Sequence, residues 1–275
     1  MYEYDTEYNG GNYSNTTYKT IANTKTQHKL LGLTSIFLGI GMLITVLFAG
    51  VLTAIPAVQK LAANAFDQTS NSASMLSLIF IATLIFQFIL SLVLQMVFSY
   101  KRVEKINWVG ALIGYSLMVA VATFNLTVVT MFVQMYTNIE GYKIVCTFAI
   151  PVLIVITMGV LAYFGKINFS KYYWLISIAL IAGLICFIVS YFLIFTGAGE
   201  LFYNVYLALT IMAVTAIIGV NFEMIRKFSN SLTENKIPDE KKIIMTSSII
   251  FAFNIYLLFI TLIWKMMRVF FRNSK

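Results

Sequence analysis

LFYNVYLALTIMAVTAIIGVNFEMIRK (201–227) and SSIIFAFNIYLLFITLIWK (247–265) decide the fold of this chain. Each holds an apolar run long enough to cross a bilayer, Leu201–Val220 and Ile243–Trp264, with one amide side chain where hydrocarbon would not tolerate it. Asn221 ends the first run and Asn254 sits in the middle of the second. Ser247, Asn254, Thr261 and Arg268 recur every seven residues, which on a helix makes one polar stripe. Such a stripe must face protein or water.

Five further runs of the same kind precede these two: Leu30–Ala54, Met75–Tyr100, Trp108–Met135, Ile144–Gly165 and Tyr172–Phe195. None of the seven contains Asp, Glu, Lys, Arg or His. With 60% hydrophobic and 11% charged residues and a mean hydropathy of +0.85, the composition excludes a soluble domain. The expectation is an all-α membrane protein, a bundle of seven transmembrane helices over residues 30–270. Residues 1–29, rich in Asn, Tyr, Ser and Thr, read as a disordered tail, and 271–275 as a short basic one. The first run is too long for a signal-peptide core and is read as a retained span. Cys146 and Cys186 fall within spans, where no disulfide is expected.

The net charge of +8 is distributed as a membrane protein's would be, not a nucleic-acid binder's. The tail and the second, fourth and sixth loops carry Lys19, Lys25, Lys29, Lys101, Arg102, Lys105, Lys166, Lys171, Arg226, Lys227, Lys236, Lys241 and Lys242. The opposite loops carry only Lys60 and Lys143, so the N-terminus is expected in the cytoplasm. The basic C-terminus (Lys265, Arg268, Arg272, Lys275) dissents: either it lies outside, or the last segment is re-entrant.

Polar residues recur on two other spans. Thr83, Gln87, Ser91 and Gln95 lie four apart in the second; Ser116, Thr123, Thr127, Thr130 and Gln134 share a face of the third. Two readings stay open, interhelical hydrogen bonding and a lined polar cavity. Gly39, Gly41 and Gly50 in the first span read as close-packing positions. Val58, Leu61, Ala62 and Phe66 read as a short surface helix, Pro151 as a kink, and Glu223 with Arg226 as a local ion pair.

Catalytic chemistry is sparse. The single histidine, His28, precedes the first span, and no pair of membrane aspartates or phosphate-binding glycine loop is present, so neither an enzyme nor a cofactor is expected. An ion-coupled pump normally keeps an ionisable group at mid-membrane, and the spans have none. A passive pathway or a protein-binding scaffold remains.

Three segments in order carry a resemblance: GKINFSKYYWLISIALIAGLI (165–185), GVNFEMIRK (219–227) and FAFNIYLLFITLIWKMMR (251–268). Together with the seven runs, they resemble the Bax inhibitor-1 family over residues 30–270, most strongly from Thr147. The resemblance implies a bundle with the seventh helix central, a Ca²⁺ leak as activity, and a pH latch of two facing aspartates closed by an arginine. It would place those aspartates at Asn221 and Asn254, the latch at Lys101 or Arg102, and the acid of the fourth-loop turn at Asn168. Asparagine does not titrate and attracts a divalent cation poorly, so the expected member has its latch disabled. The alternative is a non-conducting scaffold that binds another membrane protein. Abundant Asn, Ile, Phe, Tyr and Lys point to an A+T-rich genome and a bacterial plasma membrane.

Overall fold

The computed structural model describes residues 12–58, 60, 71–100, 103–137, 141–165, 168–193, 195, 197–234 and 240–272. Seven long helices form: α1 (Asn12–Thr45), α2 (Asn71–Tyr100), α3 (Trp108–Thr137), α4 (Gly141–Tyr163), α5 (Tyr173–Phe192), α6 (Gly197–Glu234) and α7 (Glu240–Arg272). Every one contains a segment long and apolar enough to cross a membrane, matching the seven runs. The latch candidates Lys101 and Arg102, the segment Leu61–Phe66 and residues 1–11 lie outside the described residues.

Two boundaries differ from the sequence reading. The tail expected to be structureless up to residue 29 is helical from Asn12, because no Gly or Pro stands between Gly11 and Gly32 and the first span's helix propagates backwards. At the other end, helix extends through Phe271 and Arg272. Because α7 is one unbroken helix of 33 residues, about 50 Å long, the last segment is not a re-entrant hairpin. Pro151 is buried inside α4, which continues through it. Beyond Thr45, α1 passes into a π-helical turn, Val46–Val51, where Gly50 lies against the Phe148 ring of α4.

The seventh helix is the axis. It packs against α1, α3, α4 and α6, and Phe253, Tyr256 and Phe259 are fully buried. Two-thirds of its membrane window (67%) is buried, against 0% for α2. α2 leans on α3, where Gly114 receives Leu94, and reaches α7 through the edge-to-face pair Phe98–Phe253 (5.2 Å). α5 lies along α6, with Gly183 against Tyr206, Leu209 and Thr210. Trp108, Tyr172, Tyr173 and Trp174 are exposed at helix ends, where an interfacial belt would place them.

Candidate polar site in the bundle

Within this apolar bundle the polar side chains gather in four places. The deepest joins three helices. Thr45 Oγ1 lies 2.9 Å from Thr123 Oγ1 and 2.8 Å from Tyr256 Oη, and also donates to the Gly41 carbonyl (3.0 Å). Tyr115 stands edge-on to Tyr256 (5.9 Å) and donates to the Phe37 carbonyl (2.8 Å). Gly41 makes this possible, since a Cβ there would collide with the Tyr115 hydroxyl. Thr45, Thr123, Tyr115 and Tyr256 are all buried, so each unmade bond would leave a polar group in hydrocarbon.

The second cluster ties the peripheral α2 to α3. Asn125, fully buried, accepts from Thr83 Oγ1 (2.7 Å) and donates to Gln87 Oε1 (2.6 Å) and the Thr83 carbonyl (3.3 Å). Asn125 was not among the sequence candidates, because it stands between Phe124 and Leu126 off the threonine stripe. Of that stripe, Thr127 and Thr130 bond carbonyls of their own helix (both 2.8 Å), and Gln134 is half-buried near its end.

The third is a mostly apolar cavity of about 350 Å³ between α2, α3 and α7, into whose lining Gln87, Ser91, Gln95 and Thr261 bring polar groups. Here the second-span stripe meets the seventh-span stripe. Gln87 belongs to both the cavity and the Asn125 network. Thr261 bonds the Leu257 carbonyl (2.9 Å). Further along the seventh-span stripe Ser247 is buried; its hydroxyl and that of Thr246 have no hydrogen-bond partner among the described residues. At the far end, Lys265 donates to Tyr206 Oη and sits 4.4 Å above that ring, while Arg268 donates to Tyr203 Oη (3.1 Å). Tyrosines of α6 thus hold two of the four cations, Lys265 and Arg268, that made the C-terminus look anomalous.

The fourth holds a carboxylate. Glu223 is 2% exposed and accepts from the Ser170 backbone N–H (2.9 Å) and from Lys227 (2.9 Å), which also donates to Ser170 Oγ (2.9 Å). Glu223 therefore pairs with Lys227, four residues on, and not with Arg226 as expected; both spacings reach on a helix, and Ser170 selects the second. The 3₁₀ turn Phe169–Tyr172, which follows Asn168, is docked by this carboxylate and by Phe169 lying flat on Gly219. Arg226 instead lies against Gly165, whose φ of +64° a side chain would strain.

Asn221 and Asn254 do not bond each other. Asn221 lies 13 residues before the end of α6 and Asn254 lies 14 after the start of α7, each about 20 Å from their connection. Asn221 is buried and donates to the Ile217 carbonyl of its own helix (2.9 Å); Asn254 is half-buried. The facing arrangement that the resemblance implies for these two positions brings no hydrogen bond between their amides; Asn221 spends one N–H on its own helix. Among the described residues, no cluster of three His, Cys, Asp or Glu could hold a metal ion.

Seven apolar helices with polar groups turned onto one another define an all-α integral membrane protein. No family model, curated protein or solved structure matches the chain.

Proposed function

We propose that this chain is a Bax inhibitor-1-like protein of a bacterial plasma membrane, its N-terminus cytoplasmic. It passes cations, Ca²⁺ among them, passively. Its sixth and seventh helices carry Asn221 and Asn254 where the resemblance implies the carboxylates of a pH latch. One observation carries the reading: the most buried helix of the bundle, α7, bears uncharged polar groups and borders a cavity in which Gln87, Ser91, Gln95 and Thr261 stand among apolar walls. Gln87, Gln95 and Thr261 offer amide and hydroxyl oxygens that can replace part of a cation's hydration without binding it tightly. Asn221 and Asn254 lie on neighbouring helices at similar residue counts from the α6–α7 connection, and carboxylates installed there test whether the two positions interact.

The test is Ca²⁺ efflux from liposomes containing the purified protein, compared with protein-free liposomes. Efflux above background is expected, reduced by Gln87→Leu with Thr261→Val. Asn221→Asp combined with Asn254→Asp should add a pH response that neither single change gives. Background efflux from correctly folded protein would sink the proposal. A scaffold without flux is the second reading. It draws on the deepest polar groups, Thr45, Thr123 and Tyr256, spending their hydrogen bonds on each other.

A further inference from the structure

A second cavity, unrelated to the polar site, opens between α1 and α4. It measures about 680 Å³, has mostly apolar walls, and is floored by the buried Phe222 of α6. Its α1 wall includes Gly32, Ser35 and Gly39, spaced so that they share one helix face, with Leu31, Leu38 and Met42 beside them. The sequence reads Gly39 as a close-packing position, yet a Cβ at Gly32 or Gly39 would meet nothing within 4 Å. Gly41 and Gly50, by contrast, do receive protein side chains. Glycine in a helix costs about 1 kcal/mol relative to alanine, and at Gly32 and Gly39 no protein contact offsets that. The groove runs from His28 to Met42, about 21 Å along the helix, more than the depth of one leaflet in a hydrocarbon core of about 30 Å.

One end of the groove is polar, and two cations stand just outside its lining. Tyr163 Oη and His28 Nδ1 are 3.0 Å apart at its mouth, and Lys29 is exposed beside them. Arg226 stands one turn beyond Phe222 on α6, against Gly165, just past the groove-lining Phe164. Its guanidinium has no carboxylate partner among the described residues, because Glu223 is taken by Lys227 and Ser170. A half-buried arginine without a counter-ion at the mouth of an apolar, leaflet-deep slot is complementary to a ligand with an anionic head and a hydrocarbon tail.

We propose that the α1–α4 groove holds one acyl chain of an anionic glycerophospholipid, its phosphate held by Arg226 and Lys29 beside the His28–Tyr163 pair. The chain fills the space that Gly32 and Gly39 leave open, and the headgroup supplies the charge that Arg226 lacks.

The experiment places the full-length protein in nanodiscs of equimolar phosphatidylglycerol and phosphatidylcholine. The protein is extracted gently, and the lipids still bound are counted by native mass spectrometry. Wild type should retain phosphatidylglycerol in preference to phosphatidylcholine, by about fivefold for each basic side chain engaged. Arg226→Gln should lose about one such factor of preference while still retaining lipid. Gly32→Leu with Gly39→Leu, which has room to fold, should lose the retained lipid of both kinds. Equal retention of the two lipids by wild type would overturn the headgroup assignment. Undiminished retention in the double leucine variant would overturn the groove. A wild-type dimer that the double variant abolishes would show the small-residue face to be a contact between copies, and would overturn the proposal as well.

Discussion

Asn125→Leu should loosen the attachment of α2. The substitution keeps side-chain size and removes three hydrogen bonds, to Thr83 Oγ1, the Thr83 carbonyl and Gln87 Oε1. Interhelical hydrogen bonds in membrane proteins are worth about 0.6 kcal/mol each on average and about 1.7 at most, so the loss should be about 2 kcal/mol. The cost is held to that value because Thr83 keeps its bond to the Phe80 carbonyl and Gln87 can turn into the adjacent cavity. Little else compensates, since none of the α2 membrane window is buried. Reversible unfolding in mixed micelles, followed by helical circular dichroism, measures the change. A cycle with Gln87→Leu isolates the amide pair, with an expected coupling of about 0.6–1.7 kcal/mol. An Asn125→Leu protein as stable as wild type, with no coupling to Gln87, would refute the idea that this network fastens α2.

Three further outcomes follow from the geometry. Glu223→Ala should free the turn at Phe169–Tyr172 and speed tryptic cleavage after Lys171, mapped by mass spectrometry, whereas Glu223→Gln keeps an acceptor for the Ser170 N–H and stays protected. Gly165→Ala should destabilise by about 1–2 kcal/mol in the same unfolding assay, because φ of +64° disfavours a side chain. The Arg226 guanidinium would also have to move. Tyr256→Phe should cost about 1 kcal/mol, because Thr45 keeps Gly41 and Thr123 as partners when the phenol oxygen is gone.

The seven helices were legible in the sequence because uninterrupted apolar runs of about 20 residues have few other uses. The individual contacts were less so. Periodicity picked out Thr123, Gln87 and Thr261, which do turn inward, but it passed over Asn125, Thr45 and Tyr256. Those three lie off the heptad-like spacings, and only the packing of separate helices brings their partners to them. Glu223 shows the same limit: two cations were within helical reach, and a backbone N–H 53 residues away favoured the arrangement with Lys227. Gly39 and Gly41 are two residues apart, yet one faces the open groove and the other accommodates Tyr115, a difference that depends on which helix stands opposite.

The central proposal is a conduit with no carboxylate or histidine among its lining residues. The nearest buried carboxylate, Glu223, is two residues from Asn221, on the opposite side of α6, and is already engaged by Lys227 and Ser170. The most direct test is Ca²⁺ efflux from proteoliposomes between about pH 6 and pH 8, the window in which coupled carboxylates and histidines change charge. The account predicts efflux above background and flat across that window. A steep rise or fall with pH, or no efflux at all, would contradict it.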